Sequence, residues 1–440
     1  MPSPTPPPPA PPRRALDAVR STLAPTGPVA RPLTTATMAT SLSSGLFYTV
    51  SALFFTTVVG LGATTVGLGL TVAGAVGVAG SFGAGYLADR VGASRLLLGA
   101  TLGQGLALLA YVLATSTTAF VVTACCAVGF RSMQGTARQA VLARTSTGPE
   151  RMAVRARLRV VTNVFIGLGT VLAGAALLVG TAAAYRSTML LAGALVLASC
   201  VPLARLVRGA GPPPEPLDLA SATTTTPTAP TTTGRSPLRD RTYLAVTGLN
   251  AVMAMQFGLQ TVGVPLWVVT RTPAPPVTVS ALLVLNTVLI ACFQVRASRG
   301  TDDVRAAGRA VARGGVLLAL ACGLHAAAAT GSVVLAVVLL VLAATAHTAA
   351  EMLTEAGSWG LAFELADPRS AGAYQGVSQT GYSIGTMLAP LVVTATAVDH
   401  GTPGWALLGT AFATVGALTW VVARTARRPE AAQVLQHERG

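Results

Sequence analysis

The chain has 440 residues, of which 52% are hydrophobic and only 10% are charged. That balance excludes a soluble globular protein, which at this size needs far more charged surface. A net charge of +15 would point a soluble domain toward nucleic acid, but every basic residue is Arg and the arginines sort by side of a membrane, so lipid is the expected partner and nucleic acid is not.

The charges fall in clusters separated by apolar runs of roughly twenty residues, the length that crosses about 30 Å of hydrocarbon. Residues 1–33 are Pro-rich and lack the apolar core of a signal peptide, so they read as a disordered cytoplasmic tail. Apolar runs then predict twelve helices. Six lie at 36–59, 64–87, 95–115, 118–139, 160–180 and 184–206, forming an N-terminal bundle over 34–206. Residues 207–242 are Pro/Thr-rich and read as a flexible cytoplasmic linker. Six more, at 243–269, 277–295, 312–331, 333–356, 372–396 and 403–423, form a second bundle over 243–424, with a tail at 425–440. The predicted fold class is an all-α polytopic membrane protein, two pseudo-symmetric six-helix bundles with a site at their interface.

Arginine counting sets the orientation. One side receives nearly all loop arginines and the other only Arg186 and Arg271, so both termini are expected in the cytoplasm. The expected location is a bacterial inner membrane, and the chain is expected to work as a monomer. The cysteines, Cys125, Cys126, Cys200, Cys292 and Cys322, are odd in number and lie in apolar runs, which argues against a disulfide framework. No cofactor is expected.

The loop after the second span reads Gly85-Tyr86-Leu87-Ala88-Asp89-Arg90-Val91-Gly92-Ala93-Ser94-Arg95. A tight membrane hairpin needs glycine to turn and charge to hold the turn at the interface. The spacing G-x-L-A-D-R-x-G in this position also resembles the signature loop of the major facilitator superfamily. The resemblance implies that Gly85, Asp89, Arg90, Gly92 and Arg95 form a conformational latch between the two halves. Ala93 and Ser94 stand where the family usually has a basic pair, which implies a weaker latch. The second-half loop, from Gln294 to Gly300, lacks the Asp.

Arg131 lies some thirteen residues into the fourth span, about 20 Å deep at 1.5 Å per residue, too deep for easy snorkelling and functional by default. Arg131-Ser132-Met133-Gln134-Gly135 also resembles the fourth-helix motif of proton-coupled facilitators, which implies a part in proton transfer. Arg138 reads as an interfacial anchor. The fifth span has glycines from Gly167 to Gly174 but no proline, unlike the usual fifth-helix motif of drug exporters, and helix packing accounts for them.

The tenth span carries His347, Glu351 and Glu355 at intervals of four, hence on one helix face. Three titratable groups in a buried stripe read as a proton path. Zinc binding by His347 and Glu351 lacks further ligands. The resemblance places helices one, four, seven and ten around a central cavity, and the expectation is that Arg131 faces His347 and Glu351 across it. Tyr48, Gln134, Asn250, Gln256, Gln260, Gln379 and Tyr382 are the candidate substrate contacts. Few fixed charges are expected in that cavity, which suits a neutral or cationic amphiphile. The implied function is proton-coupled efflux of a small drug-like or secondary metabolite, with protons as the coupling ion. The alternatives are an uptake permease or an intramembrane enzyme, and no H-E-x-x-H or serine nucleophile motif supports the enzyme.

Overall fold

A computed structural model of the chain describes residues 27–209, 235–329 and 331–426. The greater part of the expected tails and of the linker, including Arg427 and Arg428, lies outside the described residues. Twelve long helices follow one another: α1 (Ala30–Leu53), α2 (Ala63–Val91), α3 (Ala93–Ala110), α4 (Thr117–Thr145), α5 (Gly148–Val179) and α6 (Ala182–Gly209), then α7 (Arg241–Arg271), α8 (Val277–Ala297), α9 (Val304–Ala327), α10 (Val333–Glu364), α11 (Ala371–Val393) and α12 (Thr402–Thr425). Eleven of these are long and apolar enough to cross a membrane. The exception is α4, which is long enough but carries Arg131, Arg138 and Arg144 with two glutamines. Its apolarity is low because its polar face turns toward an internal cavity, where charge is tolerated.

The first six helices form one bundle and the last six the other. Small residues let the backbones approach, as close packing in lipid requires. A Cβ on Gly45 of α1 would lie 2.1 Å from the Ile166 carbonyl, and one on Gly169 of α5 would lie 2.3 Å from that of Leu42. Gly169 thus forms the seam between α1 and α5, while a Cβ on Gly167 or Gly174 would meet nothing within 4 Å. Between α2 and α3 the chain turns at Gly92 with φ +91°, a conformation that glycine adopts without steric cost. α7 is broken near its middle by a π-helical turn, Leu259–Gly263, ahead of Pro265, which cannot supply an N–H to the helix ladder.

The two bundles meet unevenly. At the end where α1 begins and α12 stops, here called the terminal end, Trp359 and Phe363 of α10 join an apolar cluster built from α1 to α6. Toward the opposite end each bundle keeps its own cluster, one around Phe55, Tyr111 and Phe120 and the other around Trp267, Trp405 and Phe412.

Several boundaries differ from the hydropathy reading for one reason. α5 begins at Gly148, α9 at Val304, and α10 runs on to Glu364, each a full turn or more beyond the apolar run. The arginine-rich stretches taken as loops are helical extensions. In α5 the charges of Arg151, Arg155 and Arg159 point into the protein and find partners there.

Candidate functional site

Between the bundles lies a cavity of about 410 Å³, walled by α1, α4 and α5 on one side and by α7, α10 and α11 on the other. This is within the range of pockets that hold small organic molecules. Gln134, Asn250, Gln256, Gln379 and Tyr382 all line it. Several are already engaged: Gln134 donates to Thr101 at 2.8 Å, Gln256 donates to Thr354 at 2.8 Å, and Asn250 accepts from Ser358 at 3.0 Å. Gln260 does not reach this cavity. It lines a separate pocket of about 30 Å³ with His325, His347 and Asn286, room for about one water molecule. Tyr48 is also outside the lining, but its ring lies beneath the Arg131 guanidinium, 4.9 Å from carbon to centroid.

The charged residues are arranged otherwise than expected. Glu351, 2% exposed, is paired with Arg159 of α5 at 2.5 Å and accepts a second bond from Asn286 of α8 at 2.9 Å. Arg131 is therefore not the partner of Glu351, nor of His347, which is turned away into the small pocket. The expected pairing fails because Glu351 lies on the side of α10 that faces α5 and α8, while His347 faces the small pocket between α7, α8 and α9. Glu355, 6% exposed, lines the main cavity and is no interfacial residue. Arg138 is likewise no simple anchor: it lines the cavity and donates to Gln134 at 3.2 Å.

Arg151, Arg155 and Arg159 recur every four residues along α5, so they share a face. α10 runs antiparallel and presents a matching series. Arg151 pairs with Glu364 and stacks on Phe363 at 4.6 Å; Arg155 stacks on Trp359 at 4.4 Å; Arg159 holds Glu351. This zipper joins the bundles from the terminal end up to the cavity floor. Arginine suits the task, since its planar cation both stacks on rings and forks onto carboxylates. Sequence reasoning missed these three residues because hydropathy assigned them to a loop. Their spacing of four, the same as that of His347, Glu351 and Glu355, was the available signal.

The expectation of few fixed charges is overturned here. Arg131, Arg138, Arg155 and Arg159 all line the cavity, with Glu355 as the only carboxylate in its wall among the described residues. Arg131 is open to the cavity and the other three are partly buried; an arginine placed mid-membrane costs at least ~2.5 kcal/mol on insertion scales, so these four face the cavity and not lipid.

In the last turn of α2, Asp89 accepts from Arg144 at 2.5 Å and from the backbone N–H groups of Gly372 and Ala373 at 2.8 and 2.7 Å. It acts as an N-cap for α11 supplied by the other bundle, satisfying donors that a helix start leaves free. Gly85 permits this approach, for a Cβ there would meet Gly372 and Gly376 backbone at 2.6 and 2.8 Å. Arg90 and Arg95 are exposed, and the cation beside Asp89 is Arg144 of α4, which sequence reasoning did not select.

The family model of the Major Facilitator Superfamily matches residues 33–390. A search of curated protein sequences finds no significant match. Among solved structures, the chain resembles a bacterial homologue of the iron transporter ferroportin in an outward-facing state (TM-score 0.69, 13% identity, 90% of this chain and 98% of that one). It also resembles the human organic anion transporter MFSD10 (0.61, 14%, 94% and 100%) and the E. coli fucose:proton symporter FucP (0.63, 12%, 91% and 98%). At these identities the likeness speaks for the fold. With the family match over most of its length, the 6+6 architecture and the central cavity, the chain belongs to the Major Facilitator Superfamily of membrane transporters.

Proposed function

We propose that the chain is a proton-coupled secondary transporter that carries a small organic compound across a bacterial inner membrane by alternating access. The terminal end, with both termini and the linker, is the cytoplasmic end in this reading. The crowding of loop arginines at that end supports it, and a cavity enclosed by one chain supports a monomeric working unit.

The observation that carries the reading is the Glu351–Arg159 pair, 2.5 Å long and spanning the two bundles. A proton on Glu351 removes the charge that holds Arg159, so proton binding loosens α10 from α5 at the closed end. A lone buried carboxylate would carry no such coupling; one that ties moving halves together does. Deprotonation restores the pair and favours the conformer described here.

The machine is reversible, and its direction follows the gradients. Efflux is the first reading, although the fifth span lacks the proline of the usual drug-exporter motif. Uptake together with a proton is the second reading, favoured by the excess of arginine in the cavity. In proteoliposomes screened with small organic compounds under an imposed proton gradient, the wild-type chain is expected to concentrate or discharge a compound in step with the gradient. Glu351→Gln is expected to exchange that compound without responding to the gradient. An unchanged gradient response in Glu351→Gln would falsify the assignment.

Asp89 gives a second test of alternating access. Asp89→Ala removes the cap on α11 and the partner of Arg144, and a lost N-cap costs ~1 kcal/mol, about a fivefold shift between conformers. Thiol labelling of Ser132→Cys, a cavity position, is expected to quicken from the cytoplasmic side when Asp89→Ala is added. Equal rates with and without Asp89→Ala would remove Asp89 from the gate.

A further inference from the structure

Three arginines near the terminal end are matched with acids: Arg144 with Asp89, Arg151 with Glu364 and Arg159 with Glu351. Arg131, Arg138 and Arg155 have no carboxylate within ion-pair distance among the described residues. Their direct contacts are neutral, and only Arg155 has a carboxylate, Glu355, acting on it at longer range. Arg131 lies over Tyr48, Arg138 donates to Gln134, and Arg155 stacks on Trp359. With its amide oriented to satisfy both groups, Gln139 also accepts from Arg155 at 2.7 and 3.0 Å.

These cations are grouped on one wall. Arg131 and Arg138 are two helical turns apart on α4, and Arg155 and Arg159 one turn apart on α5, so each pair shares a helix face. The opposite wall is mostly neutral and polar, with Asn250, Gln256, Gln379 and Tyr382 beside the single Glu355. A cationic guest would meet four guanidiniums and one carboxylate. A guest bearing an oxyanion would instead find forked donors suited to carboxylate or phosphate, and amide and hydroxyl partners for its neutral body.

We infer that the substrate is a small polar organic anion, bearing a carboxylate or phosphate, seated on Arg131, Arg138 and Arg155 and joined by Arg159 once Glu351 releases it. The coupling half of this statement rests on the second reading above, uptake together with a proton. The groups facing Glu351 are Arg159 of α5, Asn286 of α8, Tyr382 of α11, and His347, Thr348 and Glu355 of its own helix, while Arg155 of α5 faces Glu355. A proton placed there frees one more guanidinium for the anion. Proton and anion therefore bind to the same form of the carrier, each strengthening the other by reciprocal linkage. Anion affinity rises as pH falls, and co-transport carries no net charge for a monoanion.

The test is equilibrium binding to the full chain in lipid nanodiscs at low salt, read as the shift in thermal unfolding midpoint. The probes are matched sets: gluconate and glucose 6-phosphate against glucose and glucosamine, and benzoate against benzyl alcohol and benzylamine. The anions are expected to stabilise the protein and their neutral and amine counterparts not. Arg138→Gln and Arg155→Gln, each removing a charge-assisted hydrogen-bond donor, are expected to weaken anion binding by about tenfold. Glu351→Gln is expected to bind the anions more tightly at neutral pH and with a weaker pH dependence, Glu355 remaining in the wall. Equal stabilisation by glucose or the amines, no stabilisation by any anion, or anion binding unchanged in both arginine variants overturns the inference. The anion assay uses no gradient, so the two readings fail separately. Anion preference with unaltered pH dependence in Glu351→Gln overturns the coupling alone, and a gradient response without anion preference overturns the substrate class alone.

Discussion

Replacing Arg159 by Met is expected to destabilise the conformer described here by about 3 kcal/mol, the lower part of the range for removing one member of a buried ion pair. Glu351 is 2% exposed and Arg159 has a side chain 17% exposed, so solvent offers the abandoned carboxylate little help. Asn286 still donates one bond to it, which keeps the loss from the upper part of the range. The carboxylate must then take up a proton or the bundles must part. Both routes shift the population away from closure at the terminal end, by a factor of about a hundred at 1.4 kcal/mol per decade. The double variant Arg159→Met/Glu351→Leu removes both charges and is expected to recover most of the loss, because apolar replacement of a buried pair is near neutral. A double-mutant cycle on the open and closed populations, read by spin-label distances, isolates the pair. Additive single effects would remove it as the bundle clamp.

The same pair shows what could be read from the sequence and what could not. The twelve helices, the two halves and the Asp89 loop were legible because they rest on apolar length and on local turn chemistry. His347, Glu351 and Glu355 were legible as a stripe because a helix fixes that geometry by itself. Their partners were not. Whether Glu351 meets Arg131 or Arg159 depends on how far α10 is rotated and which bundle helix it faces, and neither is encoded in local spacing. Hydropathy misled most where charge is internal: a run such as Arg151 to Arg159 reads as a loop if its charges are solvated. Here they are satisfied by Glu364, Phe363, Trp359 and Glu351 across the interface. The same error hid the cavity's charge, since two of its four arginines were counted as loop residues and Arg138 as an anchor.

Clamp and cavity are parts of one device. Arg159 belongs to both: it closes the zipper with Glu351 and lines the space above it. Any ligand that competes for its guanidinium acts directly on the contact between the bundles. In the proposed mechanism substrate and proton bear on the conformational equilibrium through a single side chain, and each can shift it only by its differential affinity for the two states.

Gly85→Val is expected to have the larger effect on conformation, because it acts on backbone. A Cβ on Gly85 would lie 2.6 Å from the Gly372 carbonyl oxygen, 2.8 Å from the Gly376 Cα and 3.1 Å from its nitrogen. No rotamer change relieves such contacts; α2 and α11 must separate. That movement also draws Asp89 away from the Gly372 and Ala373 N–H groups, so the start of α11 loses its cap in the same step. All three contacts lie in the other bundle, which leaves α2 free to pack normally within its own. The variant should therefore fold, and spend its time open at the terminal end. Spin labels at Arg208→Cys and Arg424→Cys, exposed positions near that end, would report the change as a longer distance, in a background freed of the native cysteines. Gly83→Val is the matched control, since a Cβ at Gly83 meets nothing within 4 Å and should leave the distance as in the parent. If Gly85→Val matches that control, then α2 and α11 do not form the closing seam, and the zipper between α5 and α10 must hold the terminal end shut without them.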